Sequence, residues 1–288
     1  MSSTSVRSSR LPVTDSPSGG WLRSRPVLAF FVLVYALSWP LWLVALYGVD
    51  GVGATAAEYG ALFGPALAAG LVAWRTGRLG AWAAGIVRWR VPARWWVVAL
   101  GVPLACVVVV HLVLLLVGVD AVDISLLPAR AVSYLLVLVV FAVAGGGLNE
   151  EPGWRGFALP ELQHRLSALR ATVVLGIGWA VWHLPSFAFP EVRNGLESGP
   201  FGLLVAGALV EVFAWAFVFT WLYNHTRSTL LCILLHGGVN AAFGSALVPV
   251  AALEVSVYLQ VALIGNIVVA GVAVALVVAT RGRLGQEA

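Results

Sequence analysis

Three groups of polar residues interrupt a chain that is otherwise strongly apolar, and their residue types are those of hydrolytic chemistry. They are Glu150, Glu151 and Arg155 in the first group, His183 in the second, and His236 with Asn240 in the third. Carboxylates and imidazoles are common general acids and bases, and a carboxamide donates hydrogen bonds to a developing oxyanion. Ionisable residues are costly within apolar segments and tend to mark function. These groups are therefore the candidate site.

Helical geometry separates the two adjacent glutamates of the first group. Glu151 and Arg155 are four residues apart, so on a helix they share a face and can form an ion pair. At about 100° per residue, Glu150 points away from that pair. A carboxylate that is poorly solvated and not neutralised suits general-base catalysis. The alternative is that both glutamates cap the inner end of a membrane span.

The third group has the same spacing, because His236 and Asn240 are also four residues apart. An imidazole and a carboxamide on one helix face can hold a water, donate to an oxyanion or hydrogen-bond a neighbouring helix. His183 shares a face with Trp179. A single buried histidine is more often structural, but three such groups together weaken that interpretation. Glu211, alone in an apolar run, is assigned a structural or secondary role.

The composition defines what kind of protein must position these residues. Of the 288 residues, 60% are hydrophobic and 10% are charged, and the mean hydropathy is +0.94. Soluble domains carry about 25% charged residues, so a soluble enzyme, a disordered chain and a nucleic-acid-binding protein are excluded. All 17 basic residues are arginines between apolar runs, which reports membrane topology. The composition predicts an all-α, polytopic transmembrane bundle.

A membrane span requires about 20 apolar residues, and the sequence contains eight segments that we interpret as spans. The predicted spans are Val27–Tyr47, Tyr59–Trp74, Trp95–Val119, Ala131–Leu148, Ala171–Phe189, Phe201–Tyr223, Thr229–Leu247 and Val255–Thr280. If the amino terminus is cytoplasmic, only Arg130 and Arg193 fall outside. Eight spans with both termini inside therefore satisfy the positive-inside rule.

The domain organisation follows from these spans. Residues 1–26 are predicted to be a disordered cytoplasmic tail, residues 27–280 a single membrane domain with its core at about 131–247, and residues 281–288 a second cytoplasmic tail. The segment Arg78–Trp96 mixes Trp and Arg, as an interfacial anchor between spans two and three would. We expect span four to continue past Pro152 with a kink there. Gly145, Gly146 and Gly147 would allow close helix packing, so that the three groups could share a chamber open to the cytoplasm.

The motifs resemble those of the CPBP family, the CAAX-prenyl-protease and bacteriocin-processing enzymes also called Abi. They read Glu150-Glu151-Pro-Gly-Trp-Arg155, Trp179-Ala-Val-Trp-His183 and His236-Gly-Gly-Val-Asn240, in that order along the chain. The resemblance is strong from about Leu148 to Asn240 and extends to the flanking spans only by topology. One departure is Trp179, where phenylalanine is usual in the family.

The resemblance implies an intramembrane endopeptidase. By this resemblance, Glu150 activates the attacking water with help from His183. The oxyanion hole is formed by His236 and Asn240, and the first motif is held in place by Glu151 with Arg155. The His/Glu set is chemically able to bind zinc, but the resemblance favours a metal-independent glutamate protease, so no metal or other cofactor is expected. The motifs of other protease classes, His-Glu-x-x-His and Gly-x-Ser-Gly among them, are absent.

Two functions from other classes compete with this interpretation. A proton-coupled transporter would use Glu150, His183, Glu211 and His236 as a relay, and a non-catalytic immunity or scaffold protein of the same family would use the site only for stability. The expected partners of a protease are a peptide or protein substrate, lipid-modified or membrane-inserted, and the bilayer, with no nucleic acid. The absence of Lys and the abundance of Arg, Ala, Val and Gly indicate a high-GC bacterial genome, so a multi-pass cell-membrane location is expected.

Overall fold

The computed structural model describes residues 20, 23–119, 127–189, 198–243 and 255–286, and this part of the chain consists of helices joined by turns and short loops. A π-helical turn spans Trp154–Ala158, and a 3-10 turn spans Leu184–Ala188. The α-helices are α1 (Pro26–Tyr47), α2 (Val52–Leu62), α3 (Gly64–Arg75), α4 (Leu79–Ile86), α5 (Ala93–Leu116), α6 (Leu127–Ala144), α7 (Gly147–Gly153), α8 (Leu159–Gln163), α9 (Ala168–Trp182), α10 (Ser198–Thr226), α11 (Thr229–Ala241) and α12 (Val255–Ala279). The predicted all-α class is confirmed.

Five of the described helices are long and apolar enough to cross a membrane: α1, α5, α9 with its 3-10 turn, α10 and α12. Two further pairs qualify if each bent pair is one span. The α2–α3 pair is bent by 51°, and α6 is bent by 46° against the α7–α8 segment. The described residues therefore contain five to seven candidate spans, as expected for a multi-pass membrane protein.

The predicted count of eight is not settled by these helices. The seventh predicted span, Thr229–Leu247, coincides with α11, which has 13 residues, and residues 244–247 lie outside the described part of the chain. A helix of that length falls short of the roughly 20 residues that a bilayer requires. Eight spans remain a prediction, whereas the positions of the other seven agree with helices or bent helix pairs.

The apolar side chains that lie on the outside of the bundle are consistent with a lipid environment. On α6, for example, Leu135, Leu136, Val139 and Val140 are each at least 60% exposed. Large contiguous apolar surfaces are unusual on soluble proteins. In a bilayer the same side chains contact lipid tails at no cost.

The fourth span bends at Gly146 instead of Pro152, so the predicted position of the kink is wrong. Gly146 has a φ of +113°, a conformation that interrupts a right-handed helix and that glycine adopts most readily. Asn149 stabilises the break, because its Oδ1 accepts a hydrogen bond from the Gly146 N–H at 2.8 Å. Pro152 lies inside α7, and the chain accommodates it by widening into the π-helical turn that follows.

Small residues allow α11 to pack close to the helices that carry the first motif. α11 packs against α5, α6 and α7. A Cβ atom at Gly237 would come within 2.6 Å of the Ala142 backbone nitrogen on α6. The predicted close packing near residues 145–147 is observed at Gly146, which lies against the side chains of His236 and Asn240.

The Trp/Arg segment Arg78–Trp96 forms α4 and the loop that leads into α5. Arg90 and Arg94 lie over the rings of Trp89 and Trp95, at 5.2 and 5.5 Å from their centroids. Trp82 donates its indole N–H to the Pro152 carbonyl at 2.9 Å. The segment therefore braces the site-bearing helix, and its position at a membrane interface remains a prediction.

Candidate active site

The buried ion pair predicted from spacing is present at the start of the π-helical turn. Arg155 Nη1 donates to Glu151 Oε1 at 2.8 Å, and both side chains have no solvent exposure. Charges removed from water are tolerated only when they are paired and hydrogen-bonded. The pair therefore fixes α7 to the turn that follows it.

Two aromatic rings complete the environment of the Arg155 guanidinium. Its Cζ atom lies 4.1 Å from the centroid of Trp179 and 4.2 Å from that of Phe219. Among the described residues its Nε and Nη2 atoms make no hydrogen bond, so the ring faces supply a large part of the stabilisation of the cation. Arg155 thereby links α9 and α10 to the first motif.

Glu151 also holds the histidine of the third group. His236 Nδ1 lies 2.8 Å from the same Oε1 atom that accepts from Arg155. A carboxylate only accepts, so Nδ1 carries the proton. This contact fixes the orientation of the imidazole and turns its other nitrogen, Nε2, toward Glu150, whose Oε1 lies 3.9 Å away.

Glu150 lies outside the ion pair, as the geometry predicted, and it has a different set of partners. Its Oε2 accepts hydrogen bonds from the indole N–H groups of Trp179 at 2.7 Å and Trp154 at 3.3 Å. The side chain is 5% exposed. One carboxylate oxygen is thus held by two fixed donors, and the other is turned toward His236.

His183 closes α9, where its ring packs against Trp182 with centroids 4.8 Å apart. Its Nδ1 lies 2.9 Å from the Trp179 carbonyl oxygen. Because a carbonyl only accepts, Nδ1 is the protonated nitrogen and Nε2 carries the lone pair of the neutral ring. His183 lies within electrostatic reach of both Glu150 and His236.

Asn240 lies one turn after His236, against the break in the fourth span. Its Nδ2 donates to the Gly145 carbonyl at 2.7 Å, which leaves its second amide hydrogen for another acceptor. All six predicted site residues are therefore gathered around Gly146 and Trp179. Glu211 does not join them, and its carboxylate accepts from Trp215 on α10 at 3.3 Å.

Sequence reasoning missed the tryptophans that contact Glu150. The signal was available, since Trp154 lies four residues after Glu150 and Trp179 four residues before His183. We interpreted Trp179 only as an aromatic replacement for phenylalanine. Its indole N–H, which phenylalanine lacks, makes the shorter of the two hydrogen bonds to Glu150.

Two of the carboxylate oxygens in the site already have N–H partners. Within the described ranges no group of three or more His, Cys, Asp or Glu side chains is placed to hold a metal. Glu151 Oε1 is already shared between Arg155 and His236, and Oε2 of Glu150 is bound by indoles. These two oxygen atoms are thus engaged by N–H donors, whereas Glu150 Oε1 is left open by the indoles, and the absence of a metal stays a prediction.

These features define a class: a helical membrane protein with a buried carboxylate–imidazole site. Residues 131–242 match the family described as "Type II CAAX prenyl endopeptidase Rce1-like". A relative named "CAAX prenyl protease 2", from Methanococcus maripaludis, is 30% identical over 108 residues, which are 36% of this chain and 39% of the relative. The match thus covers about two fifths of the relative's length.

The two matches confirm the resemblance to the CAAX-type proteases. The family match covers residues 131–242, and this segment contains all six predicted site residues.

Proposed function

We propose that the protein is a CAAX-protease-like intramembrane endopeptidase in which Glu150 activates the attacking water. The observation that carries the proposal is the asymmetry of the two glutamates. Glu151 is neutralised by Arg155, whereas Glu150 is buried outside that pair with one oxygen held by indole donors and the other turned toward an imidazole. The family match supports peptide hydrolysis as the reaction.

The proposed reaction uses the oxygen of Glu150 that the indoles leave open. Oε1 takes a proton from water while the water oxygen bonds to the carbonyl carbon of the scissile peptide, and the carbonyl becomes an oxyanion. The second amide hydrogen of Asn240 and a protonated His236 Nε2 donate to that oxyanion. When the C–N bond breaks, Glu150 returns the proton to the leaving amine.

The remaining site residues orient these groups in the proposed mechanism. Glu151 holds the His236 ring in place, because its carboxylate accepts from Nδ1 at 2.8 Å. His183 offers the Nε2 lone pair as a second acceptor for the water. Arg155 offsets the charge of Glu151 and anchors it between aromatic rings.

We further propose that no metal takes part in the reaction. Cleavage should continue at an unchanged rate after treatment with a strong zinc chelator. Loss of cleavage with the chelator, followed by recovery on addition of zinc, would contradict this part of the proposal.

The substrate class follows from the same resemblance. We propose a peptide or protein that is lipid-modified or membrane-inserted and that approaches a chamber open to the cytoplasmic side. The protein would lie in the cell membrane with both termini in the cytoplasm. A CAAX-type substrate in the strict sense carries a prenylated cysteine near its carboxyl terminus. The alternative substrate is another peptide precursor, which the protein would cleave during maturation.

A terminal-peptide survey tests the proposal and identifies the substrate together. Membranes from cells with the native protein are compared with membranes from cells with Glu150→Gln at equal abundance. Glu211→Gln is the matched control, because it makes the same chemical change at a carboxylate that accepts from Trp215 and does not belong to the cluster. New peptide termini should occur with the native protein and the control and disappear with Glu150→Gln. Identical termini in all three samples would favour the scaffold function.

A further inference from the structure

A cavity of about 1000 Å³ lies apart from the candidate active site. It opens between the amino-terminal end of α1, the carboxyl-terminal end of α3 and the chain from α8 into α9. None of the six candidate site residues lines it. A ligand of this cavity would therefore bind apart from the residues proposed for peptide hydrolysis.

The rim of the cavity is positively charged. Arg23, Arg25 and Arg165 line it and are exposed, and the described part of the chain provides none of them with an ion pair. The fourth arginine, Arg78, is paired with Glu161. Three guanidinium groups are thus available to an anion, and guanidinium binds phosphate oxygens in a bidentate manner.

The wall below this rim is apolar and partly uncovered. Leu28 and Val174 line the cavity and are 46% and 42% exposed, and Phe31 also lines it. Because Leu28 and Val174 lie on candidate membrane spans, we expect the wall to face the bilayer. A water-soluble anion would gain nothing from such a wall, whereas an acyl chain would cover it.

We propose that this cavity binds an anionic phospholipid. Its phosphate would lie among Arg23, Arg25 and Arg165, and one acyl chain would run along Leu28 and Val174. Basic pockets between spans at a membrane surface recognise anionic headgroups in this way. The proposal is independent of the peptidase function, since the cavity shares no residue with that site.

The test measures lipid retention by the full-length protein, purified in detergent, with native mass spectrometry. Phosphatidylglycerol and phosphatidylcholine of the same acyl composition are the probes. Arg25→Gln with Arg165→Gln removes charge from the rim, and Arg75→Gln with Arg170→Gln is the matched control, because these arginines do not line the cavity. Thermal unfolding of each variant establishes that it is folded.

We expect the native protein and the control to retain phosphatidylglycerol and the rim variant to bind it about tenfold more weakly. Arg25→Lys with Arg165→Lys should restore most of the binding, since it restores the charge. Equal retention of phosphatidylcholine, or unchanged binding by the glutamine variant, would overturn the proposal. Complete competition by inorganic phosphate at the lipid's own concentration would also overturn it, because the site would then be one for a free anion.

Discussion

Glu150 and Glu151 are neighbours in the chain, yet they have different partners and therefore different chemistry. Glu151 accepts from a guanidinium and an imidazole through one oxygen. Glu150 accepts from two neutral indoles, which orient a carboxylate without neutralising it. The difference arises from their 100° separation on α7 and from the approach of α9.

Trp179→Phe tests whether the indole hydrogen bond positions Glu150. Phenylalanine keeps an aromatic face toward Arg155 but removes the N–H that lies 2.7 Å from Oε2. A hydrogen bond to a charged group contributes about 1.5–3 kcal/mol, so kcat for peptide cleavage should fall about 10- to 100-fold with little change in KM. Steady-state kinetics with the purified protein gives both constants.

Trp182→Phe is the control for this substitution. Trp182 lies on the same helix and is fully buried, and its Nε1 makes no hydrogen bond to any described residue. The Trp182→Phe substitution should lower the stability of the protein without selectively lowering kcat. An equal fall in kcat for both variants would show that the effect of Trp179 is one of packing.

Residue spacing predicted the local contacts of the site and missed the distant ones. The Glu151–Arg155 pair follows from an i, i+4 spacing. The Trp179–Glu150 bond joins residues 29 positions apart, so it depends on how α9 packs beside α7. A sequence pattern does not report that distance.

At the scale of the elements, the break at Gly145–Gly146 controls how the site is assembled. The sequence predicted a helix through this region with a kink at Pro152, because proline is the usual cause of a kink. The observed bend lies earlier in the chain, at Gly145 and Gly146, where Asn149 caps Gly146 and Asn240 binds Gly145. The Asn149 contact is local and the Asn240 contact comes from tertiary packing, and neither could be read from proline and glycine positions alone.

Gly146→Ala should disturb both the backbone and the site. Gly146 has a φ of +113°, where a non-glycine residue is strained by about 1–3 kcal/mol, and its new Cβ would overlap His236. We expect a lower thermal unfolding midpoint and loss of cleavage. Gly265→Ala in α12, where a Cβ meets nothing within 4 Å, should retain both. Full cleavage by Gly146→Ala would show that His236 is not held in its functional position by this break.

At the scale of the whole molecule, the distribution of arginines predicts which loops lie on the same side of the membrane. His164, between α8 and α9, is predicted to be cytoplasmic, and Val52, at the start of α2, is predicted to be outside. Both are well exposed, with a His164 side chain that is 72% accessible and Val52 at 87%. The two native cysteines, Cys106 and Cys232, are buried, so introduced cysteines report their own positions.

Single substitutions His164→Cys and Val52→Cys test this orientation with a membrane-impermeant maleimide. In intact cells Val52→Cys should be labelled and His164→Cys should not, and inverted vesicles should give the reverse. Labelling of His164→Cys from outside would contradict both the orientation and the proposed cytoplasmic opening. The composition predicted the helical membrane class, but bent and short helices such as α11 obscure an exact span count.

The central claim is that Glu150 is the base that activates water, and its most direct test is the cleavage rate of a purified peptide substrate. The native protein, Glu150→Gln and the control Glu211→Gln are compared at equal folded concentration. General-base catalysis contributes about 10²- to 10⁴-fold, so Glu150→Gln should lose at least 100-fold in kcat while Glu211→Gln stays near the native rate. Native-like turnover by Glu150→Gln would contradict the account, because a carboxamide cannot take the proton from water.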